Sequence, residues 1–85
     1  MMRLVQQVTF QRLDLRLACL LGKLFGSQHA LRIQVTHDQL AKELGTKREV
    51  ISRLLKEFEH MGCIRLLRGQ IELVSEDALS KLTAE

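Results

Sequence analysis

THDQLAKELGTKREVISRLLKEFEH, residues 36–60, carries two helix-start signals on either side of one glycine. Thr36-His37-Asp38-Gln39 has the Thr-x-x-Gln form of a capping box, in which hydroxyl and amide each satisfy a backbone N–H left over at a helix start. Leu40, Ala41 and Leu44 then supply the buried face of a short helix. Gly45 ends it, because glycine accepts the left-handed conformation that closes many helices. Thr46-Lys47-Arg48-Glu49 repeats the signal as Thr-x-x-Glu, so a second helix is predicted over 46–60. Two helices joined by a residue or two must cross steeply, which is the helix-turn-helix arrangement.

The second helix has the strongest pattern in the chain. On a wheel of about 100° per residue, Ile51, Leu54, Leu55, Phe58 and Met61 fall within about 120° of one another and form a core face. Glu49, Ser52, Arg53, Lys56 and His60 gather on the opposite side. Hydrogen-bonding groups therefore crowd the outer face near the N-terminal end, the part of a helix that meets base edges when it lies in a major groove.

Outward from this core, Leu13, Leu17, Leu20, Leu21 and Leu24 make one apolar stripe of an earlier helix, with Arg12, Arg16 and Lys23 off its centre and Gly26 as its expected end. Arg32 to Val35 alternate as a short strand. After Met61-Gly62, Cys63 to Leu67 and Gln70 to Val74 read as two strands around a two-residue Arg68-Gly69 turn, with glycine supplying the positive φ. Ser75 caps a last short helix whose first turn holds Glu76 and Asp77, where the helix dipole favours negative charge. The predicted fold is mainly α with a small antiparallel β wing, a winged helix-turn-helix, with Arg65 and Arg68 on the wing.

Composition bounds the functions open to such a chain. With 85 residues it is one small domain, and at 46% hydrophobic and 27% charged it is too apolar to stay disordered. Three Phe and no Tyr or Trp leave the core to Leu, Ile and Val. A net charge of +3 permits a nucleic-acid partner without requiring one. There is no apolar run long enough for a membrane span and no signal-peptide pattern, so a cytoplasmic protein with no membrane partner is expected. Cys19 and Cys63 have no metal-ligand spacing and read as reduced, buried thiols, while His29, His37 and His60 are too scattered for a metal site. His37, in a first helical turn, is expected to be exposed. No nucleophile–base pairing or glycine-rich phosphate loop is present, and a chain this small has little room for a pocket of about 300 Å³, so an enzyme is not expected.

The stretch from Leu40 to Leu73 resembles the DNA-binding domain of the Crp–Fnr family, the catabolite activator and fumarate–nitrate regulator group of bacterial transcription factors. Gly45-Thr46-Lys47-Arg48-Glu49-Val50-Ile51-Ser52-Arg53 carries the resemblance, and Leu15-Arg16-Leu17-Ala18 resembles the family's Arg-Leu-Ala helix. The likeness covers about residues 5 to 80. It implies sequence-specific binding of double-stranded DNA at a palindromic operator, by a parent protein that is a homodimer, with RNA polymerase a further partner if the parent is an activator. It places the base readers at Glu49, Arg53, Ser52 and Arg48. It implies a half-site containing TGA, with Ser52 favouring TTGAT.

The side chains agree with that chemistry on their own account. Arg53 can give two donors to guanine O6 and N7, and Glu49 can accept from cytosine N4. Thr46, Lys47, Lys56, Arg65, Arg68 and Thr36 are candidate contacts to the DNA backbone. Plainer roles stand beside these. Glu49 can serve only as the N3 residue of a capping box, or pair with Arg53 one turn on, and each lysine or arginine can be solvated surface. The family's sensor domain and long dimerisation helix do not fit in these residues, and no cofactor is expected in this domain. Residues 1–9 are expected to be a remnant of that helix or its hinge, with the domain itself over 10–82. The rival use of the fold is a protein–protein contact module, for which an apolar or acidic outer face would be expected.

Overall fold

The computed structural model describes residues 13–83. The expectation for residues 1–9, and Arg12, lie outside the described residues. The elements are α1 (Leu13–Gln28), β1 (Arg32–Gln34), α2 (His37–Leu44), α3 (Arg48–His60), β2 (Ile64–Leu67), β3 (Gln70–Leu73) and α4 (Glu76–Thr83). Their order and type are those predicted, and the architecture is a winged helix-turn-helix. The strands end a residue short of the predicted limits at Val35, Cys63 and Val74.

One core joins the elements. Leu17, Leu21 and Phe25 of α1 meet Leu40 of α2 and Ile51, Leu55 and Phe58 of α3. Burying a side chain of this size contributes about 1.5–3 kcal/mol, so α3, with three, is held mainly by its inner face. Leu79 anchors α4, which packs on α1. That packing turns α1 slightly from its leucine stripe: Ala18 and Phe25 are fully covered, while Leu20 and Leu24 are only partly buried.

The wing is a three-stranded antiparallel sheet in the order β1-β3-β2. Leu67 pairs with Gln70 across Arg68-Gly69, and Gly69 has the expected positive φ of 68°. Alternation decides the faces. Ile33, Ile64 and Ile71 point to the core, whereas Arg32, Arg65 and Glu72 share the outer side. There Glu72 lies between the two arginines, 3.4 Å from Arg32 and 3.9 Å from Arg65. These are exposed pairs in high dielectric, worth a few tenths of a kcal/mol each at most.

Three expectations of the sequence are corrected here. α1 passes Gly26 and ends at Gln28, because the left-handed residue that closes it is His29, with φ 49°. The N–H of His29 donates to the Gly26 carbonyl and that of Ala30 to the Phe25 carbonyl, which is the paired closure of a Schellman motif. Met61 is not core. It is 52% exposed, because the chain turns at Gly62 (φ 82°) and sends Cys63 inward in its place. Of the two thiols only Cys63 is buried, and burial pushes its pKa up; Cys19 lies on the open side of α1.

His29 supplies a stability prediction. A left-handed residue with a Cβ costs roughly 1–2 kcal/mol, and glycine loses about 0.5–1 kcal/mol of that advantage through its freer unfolded chain. His29→Gly is expected to raise Tm by a few degrees in thermal unfolding followed by circular dichroism. An unchanged or lower Tm would refute the assignment of strain to this position.

Candidate nucleic-acid interface

The turn between α2 and α3 sets the geometry of the site. Thr36 caps α2 as predicted. Its hydroxyl accepts from the Gln39 N–H at 3.1 Å and the Gln39 amide oxygen accepts from the Thr36 N–H at 2.8 Å. Gly45 closes the helix at φ 70°, ψ 37°. The Gly45 N–H donates to the Lys42 carbonyl and the Thr46 N–H to the Ala41 carbonyl.

That closure overturns the second capping box. The backbone of Thr46 is spent finishing α2, so α3 starts one residue later than a Thr46 cap would place it. Lys47 is its N-cap, with φ −90° and ψ 150°, and no side chain caps the helix. Glu49 therefore sits in the first turn without a capping bond, where its charge still favours the helix dipole. Nor does it pair with Arg53: among the described residues the ion pairs are Arg32–Glu72, Arg65–Glu72 and Lys81–Asp77.

The outer face of α3 is thus a row of uncommitted polar groups. Arg48, Glu49, Arg53 and Lys56 are all exposed, as are Lys47 just before them and His60 at the far end. Thr46 is half-buried in the turn. The wing is tied to this helix by Glu59, whose carboxylate accepts from the Leu66 N–H at 2.9 Å. Arg68 stands exposed at the wing tip. Arg65 is exposed but leans on Glu72, and the Thr36 hydroxyl is engaged in its cap.

Ser52 differs from its neighbours. It is half-buried, and its Oγ lies 2.7 Å from Nδ1 of His37. His37 is correspondingly half-buried rather than exposed as expected from its place in a first turn. Burial, and then the charge of Arg48, lower its pKa below the ordinary 6.5. Nothing in the sequence marks this pair. The residues are fifteen apart on different helices, and only the crossing angle brings them together.

Elsewhere the surface holds an open groove of about 710 Å³ between α1 and α4, lined among others by Cys19, Lys23, His29 and Glu76. It is roomier than the chain length led one to expect, yet no nucleophile–base hydrogen bond forms there among the described residues. No cluster of three His, Cys, Asp or Glu side chains among those residues could hold a metal ion, and none of their helices is long and apolar enough to cross a membrane.

A short helix, a tight glycine turn, a second helix with a polar outer face and an arginine-tipped hairpin bound to it define a winged helix-turn-helix of the nucleic-acid-reading kind. Within that class, the chain belongs to the family of Crp-like helix-turn-helix domains, whose profile matches residues 15–82. It is a DNA-binding domain of the Crp–Fnr group of transcription regulators. It is 37% identical over 60 residues to the CRP-like cAMP-activated global transcriptional regulator of Mycobacterium tuberculosis, covering 66% of this chain and 26% of that protein. It is 30% identical to the transcriptional regulator SdrP of Thermus thermophilus, covering 94% of this chain and 43% of that one. Its fold is that of a protein from Eubacterium rectale assigned to the same family of regulators, with a TM-score of 0.85 at 32% identity, over 99% of this chain and 39% of the other. The chain thus spans about a quarter to under half the length of these relatives, all of them from bacteria.

Proposed function

We propose that this chain is the operator-reading domain of a Crp–Fnr-type regulator, with α3 lying in the major groove of a half-site that contains TGA. The observation that carries the reading is the solvent-facing row Arg48, Glu49, Arg53 and Lys56, exposed and without an ion pair to any other described residue. Arg53 gives two parallel donors to a guanine, Glu49 accepts from a cytosine N4, and Arg48 addresses a further guanine. Ser52 touches the base beside them. Lys47, Lys56, Thr46, Thr36, Arg65 and Arg68 meet phosphates, and these contacts set register rather than sequence preference. Base reading of this kind needs no cofactor. The parent protein binds as a homodimer on a palindrome, and an activator of this kind also touches RNA polymerase.

The test is fluorescence anisotropy with a TTGAT-N4-ATCAA duplex beside a scrambled one across a salt series, using the chain and a covalently linked dimer of it. The dimer matters because one half-site alone forgoes the effective-concentration gain of linkage. Preference for the palindrome is expected. If neither form binds any duplex in a salt-dependent way, the proposal falls. Lys56→Ala is expected to weaken both duplexes alike and to flatten the logarithmic salt slope by about one. A change confined to the palindrome would instead make Lys56 a base reader.

A further inference from the structure

The ring of His37 opens α2 and presses on α3, with Nδ1 2.7 Å from the Ser52 hydroxyl. A hydroxyl has one proton to give and two lone pairs to accept with. What it can offer a second partner depends on what the first takes. With Nδ1 unprotonated, Ser52 donates to the ring and only its lone pairs face outward. With Nδ1 protonated, the ring donates to Oγ and the hydroxyl proton is released to point elsewhere.

We propose that His37 is a specificity-determining residue acting through Ser52: the state of its Nδ1 decides whether Ser52 presents an acceptor or a donor to the base it faces. The idea rests on α3 being the base-reading helix. The two presentations select different bases. An acceptor suits the amino groups of adenine N6 or cytosine N4. A donor suits N7 or O6 of guanine, O4 of thymine or N7 of adenine, so adenine accommodates either presentation and cytosine only the acceptor.

The surroundings of the ring set which state prevails. Arg48 faces it from α3 and Asp38 stands beside it on α2, while the wing contributes Leu67, Gly69 and Gln70, none of them charged. Partial burial and the nearby guanidinium both disfavour the imidazolium, so the ring takes its proton only below the ordinary 6.5. The negative potential of DNA phosphates would act in the opposite direction. His37 is therefore a positioning residue whose influence on base choice depends on pH, an influence that a merely structural contact would lack.

Two measurements test this. The ¹⁵N shifts of the His37 ring in the free chain report its tautomer, and Nδ1 is expected to be unprotonated at about pH 7.5. A protonated Nδ1 at that pH overturns the proposal. Binding is then measured to palindromic duplexes carrying each of the four bases at every half-site position, at about pH 7.5 and about pH 5.5, for the wild type, Ser52→Ala and His37→Ala. At one position the wild-type preference is expected to move several-fold from cytosine toward guanine or thymine as pH falls, with adenine little changed because it offers both a donor and an acceptor. Both variants should lose that movement and keep the discrimination due to Arg53. If the wild type discriminates equally at both pH values, the role of His37 is refuted and base reading by α3 stands. If it shows no discrimination at either pH, both fall. Should His37→Ala fail to fold in a circular-dichroism melt, Ser52→Ala alone decides the outcome.

Discussion

Replacing Phe58 by alanine is expected to destabilise the domain by about 3–5 kcal/mol, the usual range for removing a buried aromatic ring. Phe58 is 1% exposed and lies where α3 faces the hairpin; its carbonyl accepts the Cys63 N–H that turns the chain into β2. The lost ring leaves a cavity between the recognition helix and the wing, which a domain with one core layer cannot collapse to fill. Small domains hold only about 5–15 kcal/mol in total, and each kcal/mol moves Tm by about 4–8 °C at this size. Thermal and urea unfolding should therefore show a fall in Tm well beyond ten degrees. Met61 is the control. It lies three residues further along the same helical stripe but is largely in solvent, so Met61→Ala should stay within about 0.5 kcal/mol of wild type. Equal effects of the two substitutions would mean that Cys63 does not replace Met61 in the core.

Arg53→Ala should do the reverse, leaving the fold intact and removing sequence discrimination. Arg53 is exposed and makes no hydrogen bond or ion pair with another described residue, so its loss creates no cavity and strands no partner. A guanidinium laid on guanine O6 and N7 contributes about 1–3 kcal/mol of discrimination, which is about 5- to 150-fold in affinity. Binding to the palindromic duplex is expected to drop by that factor and binding to the scrambled duplex by much less. The melting temperature should not move. An equal loss on both duplexes would assign Arg53 to phosphate, and base reading by α3 would then have to rest on Glu49, Ser52 and Arg48.

The two helices, the glycine between them and the wing turn were legible because each depends on local chemistry. Thr36 and Gln39 form their box from residues three apart, and Gly69 takes the φ that a two-residue hairpin demands. The same motif at Thr46 and Glu49 misled, since a capping box needs a free backbone at its first residue and that of Thr46 was already bonded to Ala41. Gly26 misled for a related reason. A glycine permits a helix end without compelling one, and the closure fell on His29 where the chain must leave for β1. The polar face of α3 followed from periodicity alone. The link between His37 and Ser52 did not, because no pattern along the chain encodes how two helices cross. Nor did the exposure of Cys19, which depends on where α4 settles on α1.

The central strand of the wing is the last one in the chain. β1 pairs only with β3 among the described strands, and Arg32 stands opposite Glu72 forty positions downstream. As the polypeptide leaves the ribosome, β1 therefore has no partner strand until β3 has emerged, and no shorter stretch can close the sheet. Contacts of such long range are slow to form and join distant parts of the chain into one all-or-none transition. The helix-turn-helix in the middle is thus clasped by segments from both sides of it, and it gains its rigidity only when the whole domain has been made.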